Sequence, residues 1–140
     1  MTDAEQEVLD VTRQLIEAVY RRDTDFYRAH AGEDMSAYEW FIAPARIDGL
    51  DFHLHLMDAG GMVGVDENSR VDLLDPRVQL CGANGEVAVV TFTLLVTYPA
   101  ADGVGKPGFY TDNQTRVLVR DDGNQTWKMI HFHRSPTHAL

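Results

Sequence analysis

The stretch Thr115-Arg116-Val117-Leu118-Val119-Arg120-Asp121-Asp122-Gly123, followed by Trp127-Lys128-Met129-Ile130-His131-Phe132-His133-Arg134-Ser135, reads as a β-hairpin whose turn is rich in Asp, Gly and Asn. Side chains alternate between faces along a strand, so each arm sets cations on one face at period two. With Ile130 and Phe132 placed in the core, Arg134 points inward with them, while Met129, His131 and His133 point to the other face. On the first arm Arg116, Leu118 and Arg120 share a face opposite Thr115, Val117 and Val119, and periodicity does not say which of these faces inward. A cation turned toward a core must be paired, solvated or offered to an anion, because burying it alone is too costly.

Working upstream, residues 70–80, 86–98 and 109–120 also read as strands, separated by turn clusters and by a glycine-rich loop over residues 100–108. Within residues 86–98, Val90, Phe92, Leu94, Val96 and Tyr98 form an apolar face, and Thr91, Thr93, Leu95 and Thr97 a wetter one suited to solvent or a partner subunit. The N-terminal part is helical. Thr2 with Glu5 three residues on is a capping-box pattern, and Val8, Leu9, Val11, Leu15, Ile16 and Val19 repeat at helical spacing to about Arg22. A short second helix through Phe26 and Tyr27, capped at Asp23-Thr24, ends at Gly32; residues 36–41 read as a short strand. Ile47-Asp48-Gly49 then opens a third helix that stops at Gly60-Gly61. Helices first and an antiparallel meander after them predict one α+β domain over residues 1–140.

Composition narrows the partners. A formal net charge of −10 argues against nucleic acid or an anionic membrane, both of which require a basic surface. The 44% apolar fraction is ordinary for a globular domain. No apolar stretch is long enough to span a membrane, and the first residues lack the basic start of a signal peptide; the expected location is the cytoplasm. The single cysteine, Cys81, is expected to be a small buried hydrophobe.

The hairpin and its final His131-Phe132-His133-Arg134-Ser135, the helix reading Val11-Thr12-Arg13-Gln14-Leu15-Ile16-Glu17-Ala18, Gly49-Leu50-Asp51-Phe52-His53, and Leu74-Asp75-Pro76-Arg77-Val78 with Gly82 after it occur in an order and spacing that resemble the association (hub) domain of calcium/calmodulin-dependent protein kinase II. The resemblance covers nearly the whole chain, and a stand-alone module without a kinase domain in front is expected. It implies the fold of the nuclear transport factor 2-like superfamily, a cone of N-terminal helices on a strongly curved antiparallel sheet. It implies self-association as a homodimer or higher homo-oligomer. It also implies that Arg116 and Arg134 look into the cavity of the cone, with an acid at Glu39 and a histidine at His53 near the mouth. A further inward arginine of the hub falls here at Leu94, so one cation is missing.

These residues suggest a pocket for a small organic acid, gripped by Arg116 and Arg134, bordered by Glu39 and His53 and walled by Tyr98. The bland alternative is that Glu39 or another buried acid meets the arginines, which then only brace the cone. His53 is expected to be a partly exposed helix histidine, and the face carrying Trp127 and His131 to lie toward subunit contacts. An enzyme of the steroid isomerase or polyketide cyclase type, with Glu39 as general base, is the alternative function. Against it, two arginines nearby are expected to hold the Glu39 pKa low. No nucleophile motif, phosphate loop or cofactor signature is present, and His131 with His133 supplies only two ligands, so neither cofactor nor metal is expected.

Overall fold

The computed structural model describes residues 1–58, 67–121 and 125–138. The expected helix stop at Gly60-Gly61 and the turn residues Asp122, Gly123 and Asn124 lie outside them. Helix α1 (Asp3–Arg21) begins as its capping pattern requires: Thr2 accepts the backbone N–H of Glu5 and its hydroxyl donates to the Glu5 carboxylate. Its apolar stripe is buried, with Val8 and Leu15 fully enclosed. Helix α2 (Thr24–His30), capped by the Asp23 side chain, passes directly into strand β1 (Ala31–Glu39). Gly32 is therefore a strand residue rather than a helix stop, and the early strand is longer than the residues 36–41 read from sequence. Strand β2 (Ile47–Asp48) then turns at Gly49, at φ +96°, into α3 (Leu50–Asp58). That left-handed conformation, natural only to glycine, lets the Gly49 N–H reach the Met35 carbonyl on β1 and so sets α3 against that strand.

The remaining strands, β3 (Arg70–Cys81), β4 (Val87–Tyr98), β5 (Gly108–Arg120) and β6 (Trp127–Pro136), form the expected antiparallel meander. The sheet order is β2-β1-β6-β5-β4-β3, and β1 joins β6 in parallel, which the sequence reading did not foresee. The sheet is open, with β3 and β2 at its edges. Pro76 sits on the edge strand β3 at a register shift, where its missing N–H disrupts the ladder least. Cys81, at the end of the same edge strand, is exposed rather than buried. Val90, Phe92, Leu94 and Val96 face the helices, as their alternation requires. Among the described residues no helix is long and apolar enough to cross a membrane.

A bulge in β6 changes the parity of the last hairpin. Val117 pairs with His131 but Leu118 pairs with Met129, leaving Ile130 as an extra residue without a partner on β5. The faces therefore invert across it: Trp127 and Met129 are inward before the bulge, Phe132 and Arg134 inward after it. Trp127 is thus a core residue, not part of a subunit-contact face, and Ile130 rather than Met129 lies off the core. The expected placement of His131 and His133 on the outer face holds; His131 hydrogen-bonds Ser36 and His133 is exposed.

Candidate functional site

Helices and sheet enclose a cavity of about 430 Å³. Its sheet wall comes from strands whose inward side chains recur at period two: Glu39 of β1, Gln114 and Arg116 of β5, and, after the bulge in β6, Phe132 and Arg134 line it, while Met35 and Ala37 of β1 and Asp112 of β5 share those inward rows and are buried. The opposite wall is Ile16 and Tyr20 of α1, Tyr27 of α2 and His53 of α3. Leu94, standing where the resemblance implied an arginine, lines the apolar side.

The structure brings four of the five expected site residues together: Arg116, Arg134, Glu39 and His53 all line this cavity. Tyr98 does not. Its ring lies across Gly108 on the neighbouring strand, so close that a Cβ there would stand 2.4 Å from it, and Tyr110 supplies the wall instead. His53 is buried, 1% exposed, not partly exposed as expected. It is carried in with Leu50, Leu54 and Met57, the buried stripe of α3.

The two arginines have different fates. Arg134 donates from Nε to Asp112 Oδ2 at 2.7 Å, with its Nη2 at 2.5 Å from the same oxygen, while its Nη1 is 3.8 Å from Glu39. Its guanidinium also sits 4.6 Å over the Phe41 ring at the cavity mouth. Burial pulls its pKa down, but Asp112 and then Glu39 outweigh that and raise it. Arg116, 4% exposed, has no carboxylate within ion-pair distance among the described residues. Its Nε donates to Gln114 Oε1 at 3.0 Å, its Nη1 approaches Met129 Sδ at 3.1 Å, and its guanidinium lies 4.4 Å over the Phe132 ring. Gln114 in turn donates to Asp112, so one chain of hydrogen bonds runs Arg116, Gln114, Asp112, Arg134 along the inner face. Burial lowers the Arg116 pKa.

Glu39 is 1% exposed, and neither of its oxygens has a hydrogen-bond partner among the described residues. The same is true of both ring nitrogens of His53, whose Nδ1 stands 3.5 Å from Glu39 Oε1. Tyr27 stacks on that imidazole at 4.8 Å and Phe132 meets it edge-on. Burial, reinforced by Arg116 and Arg134, drops the His53 pKa to about 4, so the ring is neutral at pH 7 and its approach to Glu39 is not an ion pair. Burial pushes the Glu39 pKa up, and Arg134 and Arg116 pull against it without prevailing. The expectation that the arginines hold this carboxyl low is therefore overturned. Arg134 makes its short contacts with Asp112 and stands 3.8 Å from Glu39. Burial also raises the Tyr27 pKa, leaving a neutral phenol beside Arg116.

Asp112, Gln114, Tyr27 and Tyr110 were missed in the sequence. For the first two a signal existed: extending the Arg116, Leu118, Arg120 parity upstream gives an inward row of Asp112, Gln114 and Arg116. The acid that meets Arg134 is thus mainly Asp112, on the adjacent strand, and only secondarily Glu39.

The family model of the calcium/calmodulin dependent protein kinase II association domain matches residues 4–138. The chain belongs to that family. Among relatives of this association domain, the delta subunit of calcium/calmodulin-dependent protein kinase type II of Oryctolagus cuniculus is 32% identical over 130 residues, which is 93% of this chain and 23% of that protein. The chain thus spans about a quarter of that curated relative's length. The crystal structure of the S. rosetta kinase hub superposes with a TM-score of 0.79 at 30% identity, covering 98% of this chain and 99% of that one. An NTF2-like protein of Pseudomonas putida, 21% identical with a TM-score of 0.73 over 100% of this chain and 91% of its own, shares the fold. The association domain described here is thus a nuclear transport factor 2-like cone with helices on an open six-stranded sheet.

Proposed function

We propose that this association domain is a self-associating module whose cavity holds a small organic acid. The observation that carries the ligand half is Arg116: a buried guanidinium lining a cavity, whose polar contacts are the neutral amide of Gln114, the thioether of Met129 and the neutral phenol of Tyr27, with no acid paired to it among the described residues. Such a cation is stabilised by an anion that enters with the ligand, and a recessed site answers to its local field, not to the net charge of −10. Arg134 is already braced by Asp112 and serves mainly to shape the wall. The self-association half rests on the family, and on the outer face of β4, where Thr91, Thr93, Leu95 and Thr97 are only half-buried in the single chain.

Calorimetric titration with a panel of small organic acids tests the ligand. Wild type is expected to bind at least one acid that Arg116→Met does not, and binding by neither, or equally by both, overturns it. Light scattering across a dilution series tests the assembly. Leu95→Asp is expected to lower the mass, because it sets an unpaired carboxylate in the contact; a monomeric wild type, or an unchanged mutant, counts against the sheet-face interface.

Glu39 favours a second reading. A buried carboxyl with a raised pKa, no hydrogen bond to either oxygen among the described residues and a position on the cavity wall is suited to exchanging a proton with a carbon acid, with Arg116 holding the resulting enolate. Deuterium incorporation from D₂O into an enolisable ketone, lost in Glu39→Gln, is the expected signature; no exchange across a ketone panel removes this reading.

A further inference from the structure

We propose that the cavity accepts a single monocarboxylate, and only with Glu39 in its protonated form, so that ligand and proton are held together. This rests on the ligand-binding reading above and adds to it the charge state that the ligand must meet.

The charges on the inner face lead to it. Arg116 and Arg134 contribute two positive charges; Asp112 removes one through its contacts with Arg134. With Glu39 neutral, one positive charge remains for a ligand carboxylate, and it resides on Arg116. With Glu39 ionised the wall is already balanced, and an entering carboxylate meets a second one in the same recessed cavity, the arrangement in which two acids share one proton. Apart from His138, which also lines the cavity, the groups facing Glu39 leave nothing else to absorb the excess. Tyr27 on α2 is a neutral phenol, His53 on α3 a neutral imidazole, and Asp112 on β5 already holds Arg134 of β6. Arg134 itself stands 3.8 Å from Glu39, beyond hydrogen-bond reach. Glu39 also has no hydrogen-bond partner for either oxygen among the described residues, at 1% exposure. A neutral acid tolerates that position far better than a carboxylate does, and its O–H is available to a ligand oxygen. Burial raising the Glu39 pKa agrees with this geometry.

The test uses benzoate, which stays ionised over the range, as the probe, with benzamide as the uncharged control. Binding to the wild-type chain is measured by calorimetry from about pH 5 to about pH 9, in two buffers of different ionisation enthalpy at each pH. Above the pH at which Glu39 ionises in the free protein, affinity is expected to fall about tenfold per unit, with uptake approaching one proton per benzoate bound. In Glu39→Gln the affinity is expected to be flat across the range. His53, neutral throughout, contributes no slope in this window. Benzoate binding by wild type without pH dependence or proton uptake overturns the inference and leaves the organic-acid site standing. A slope that persists in Glu39→Gln places the proton elsewhere and also overturns it. If benzoate, like the organic-acid panel, fails to bind at any pH, the ligand reading falls and this inference with it; benzamide binding as tightly as benzoate has the same consequence. Where Glu39→Gln does not fold, the carbon-13 shift of the Glu39 carboxyl in wild type, with and without benzoate, reads the same proton: a neutral-acid shift in the complex supports the proposal and a carboxylate shift overturns it.

Discussion

The inner face of β5 and β6 is two surfaces laid end to end. Toward the turn joining these strands, Leu118, Trp127 and Met129 are buried among Val8, Ala88 and Val90, a dry core of the kind any α+β layer needs. Toward the other end, on the same strands and the same face, stand Asp112, Gln114, Arg116 and Arg134, with Glu39 beside them on β1. Apolar residues in those positions would pack the cone more cheaply, since buried ion pairs are often no better than hydrophobic replacements. The polar half is therefore hard to explain by folding, and its cost points to a role beyond stability.

The largest effect expected to separate the two halves is in the dry one. Trp127→Ala removes a fully enclosed ring and should destabilise the fold by about 3–5 kcal/mol, read from denaturant unfolding. A small loss would mean that the core end is looser than its burial implies.

Next is the acid response of the polar half. The folded His53 pKa of about 4 lies below its ordinary 6.5, so the unfolded chain binds the proton more tightly. Stability from this group is complete above about pH 6.5 and is lost as pH falls toward 4, amounting to roughly 3 kcal/mol at 1.36 kcal/mol per unit. Glu39 has the opposite sign: its raised folded pKa favours the native state at low pH, and that contribution disappears as pH rises from the ordinary carboxylate value through the folded one. His53→Asn should therefore flatten the acid limb of a stability profile, and an unchanged limb would mean that the imidazole is not buried in solution.

Arg116→Met sharpens the contrast further. It should cost about 1.5–3 kcal/mol of affinity for a carboxylate, the range for a hydrogen bond to a charged group, while leaving the unfolding free energy equal or higher. A matching loss of stability would make Arg116 a structural brace and erase the distinction between the halves. The smallest effect belongs to neither: Thr2→Ala removes the α1 cap and should cost about 1 kcal/mol by thermal melting.

What the sequence disclosed was whatever depends on near neighbours or unbroken period. The Thr2 cap, the α1 stripe and the β4 alternation are of that kind, as are the inward positions of Glu39, Arg116 and Arg134 once the resemblance fixed the parity. What it concealed depends on insertions and on distant partners. Ile130 shifts the phase of β6 by one residue, and nothing in the alternation of Trp127 to Arg134 marks it, so unbroken alternation puts Trp127 and Met129 on the wrong face. The pairing of Arg134 with Asp112, 22 residues earlier, is likewise a fact of cross-strand register. The burial of His53 is legible in the stripe of Leu50, Leu54 and Met57 that includes it, but a histidine's polarity argues for partial exposure, and here packing prevails.

The parallel pairing of β1 with β6 has a bearing on how the molecule comes into being. Ser36 and His131, hydrogen-bonded across that seam, are 95 residues apart, so the seam closes one of the longest loops in the chain. The meander grows by hairpins between neighbours, but β1 has only the two-residue β2 at its side until β6 arrives. Contacts of such separation form late, because the entropy of closure comes before the gain. Until then one edge of the strand that carries Glu39 remains open to pairing with other chains, an association hazard that ends when the final strand docks between β5 and β1.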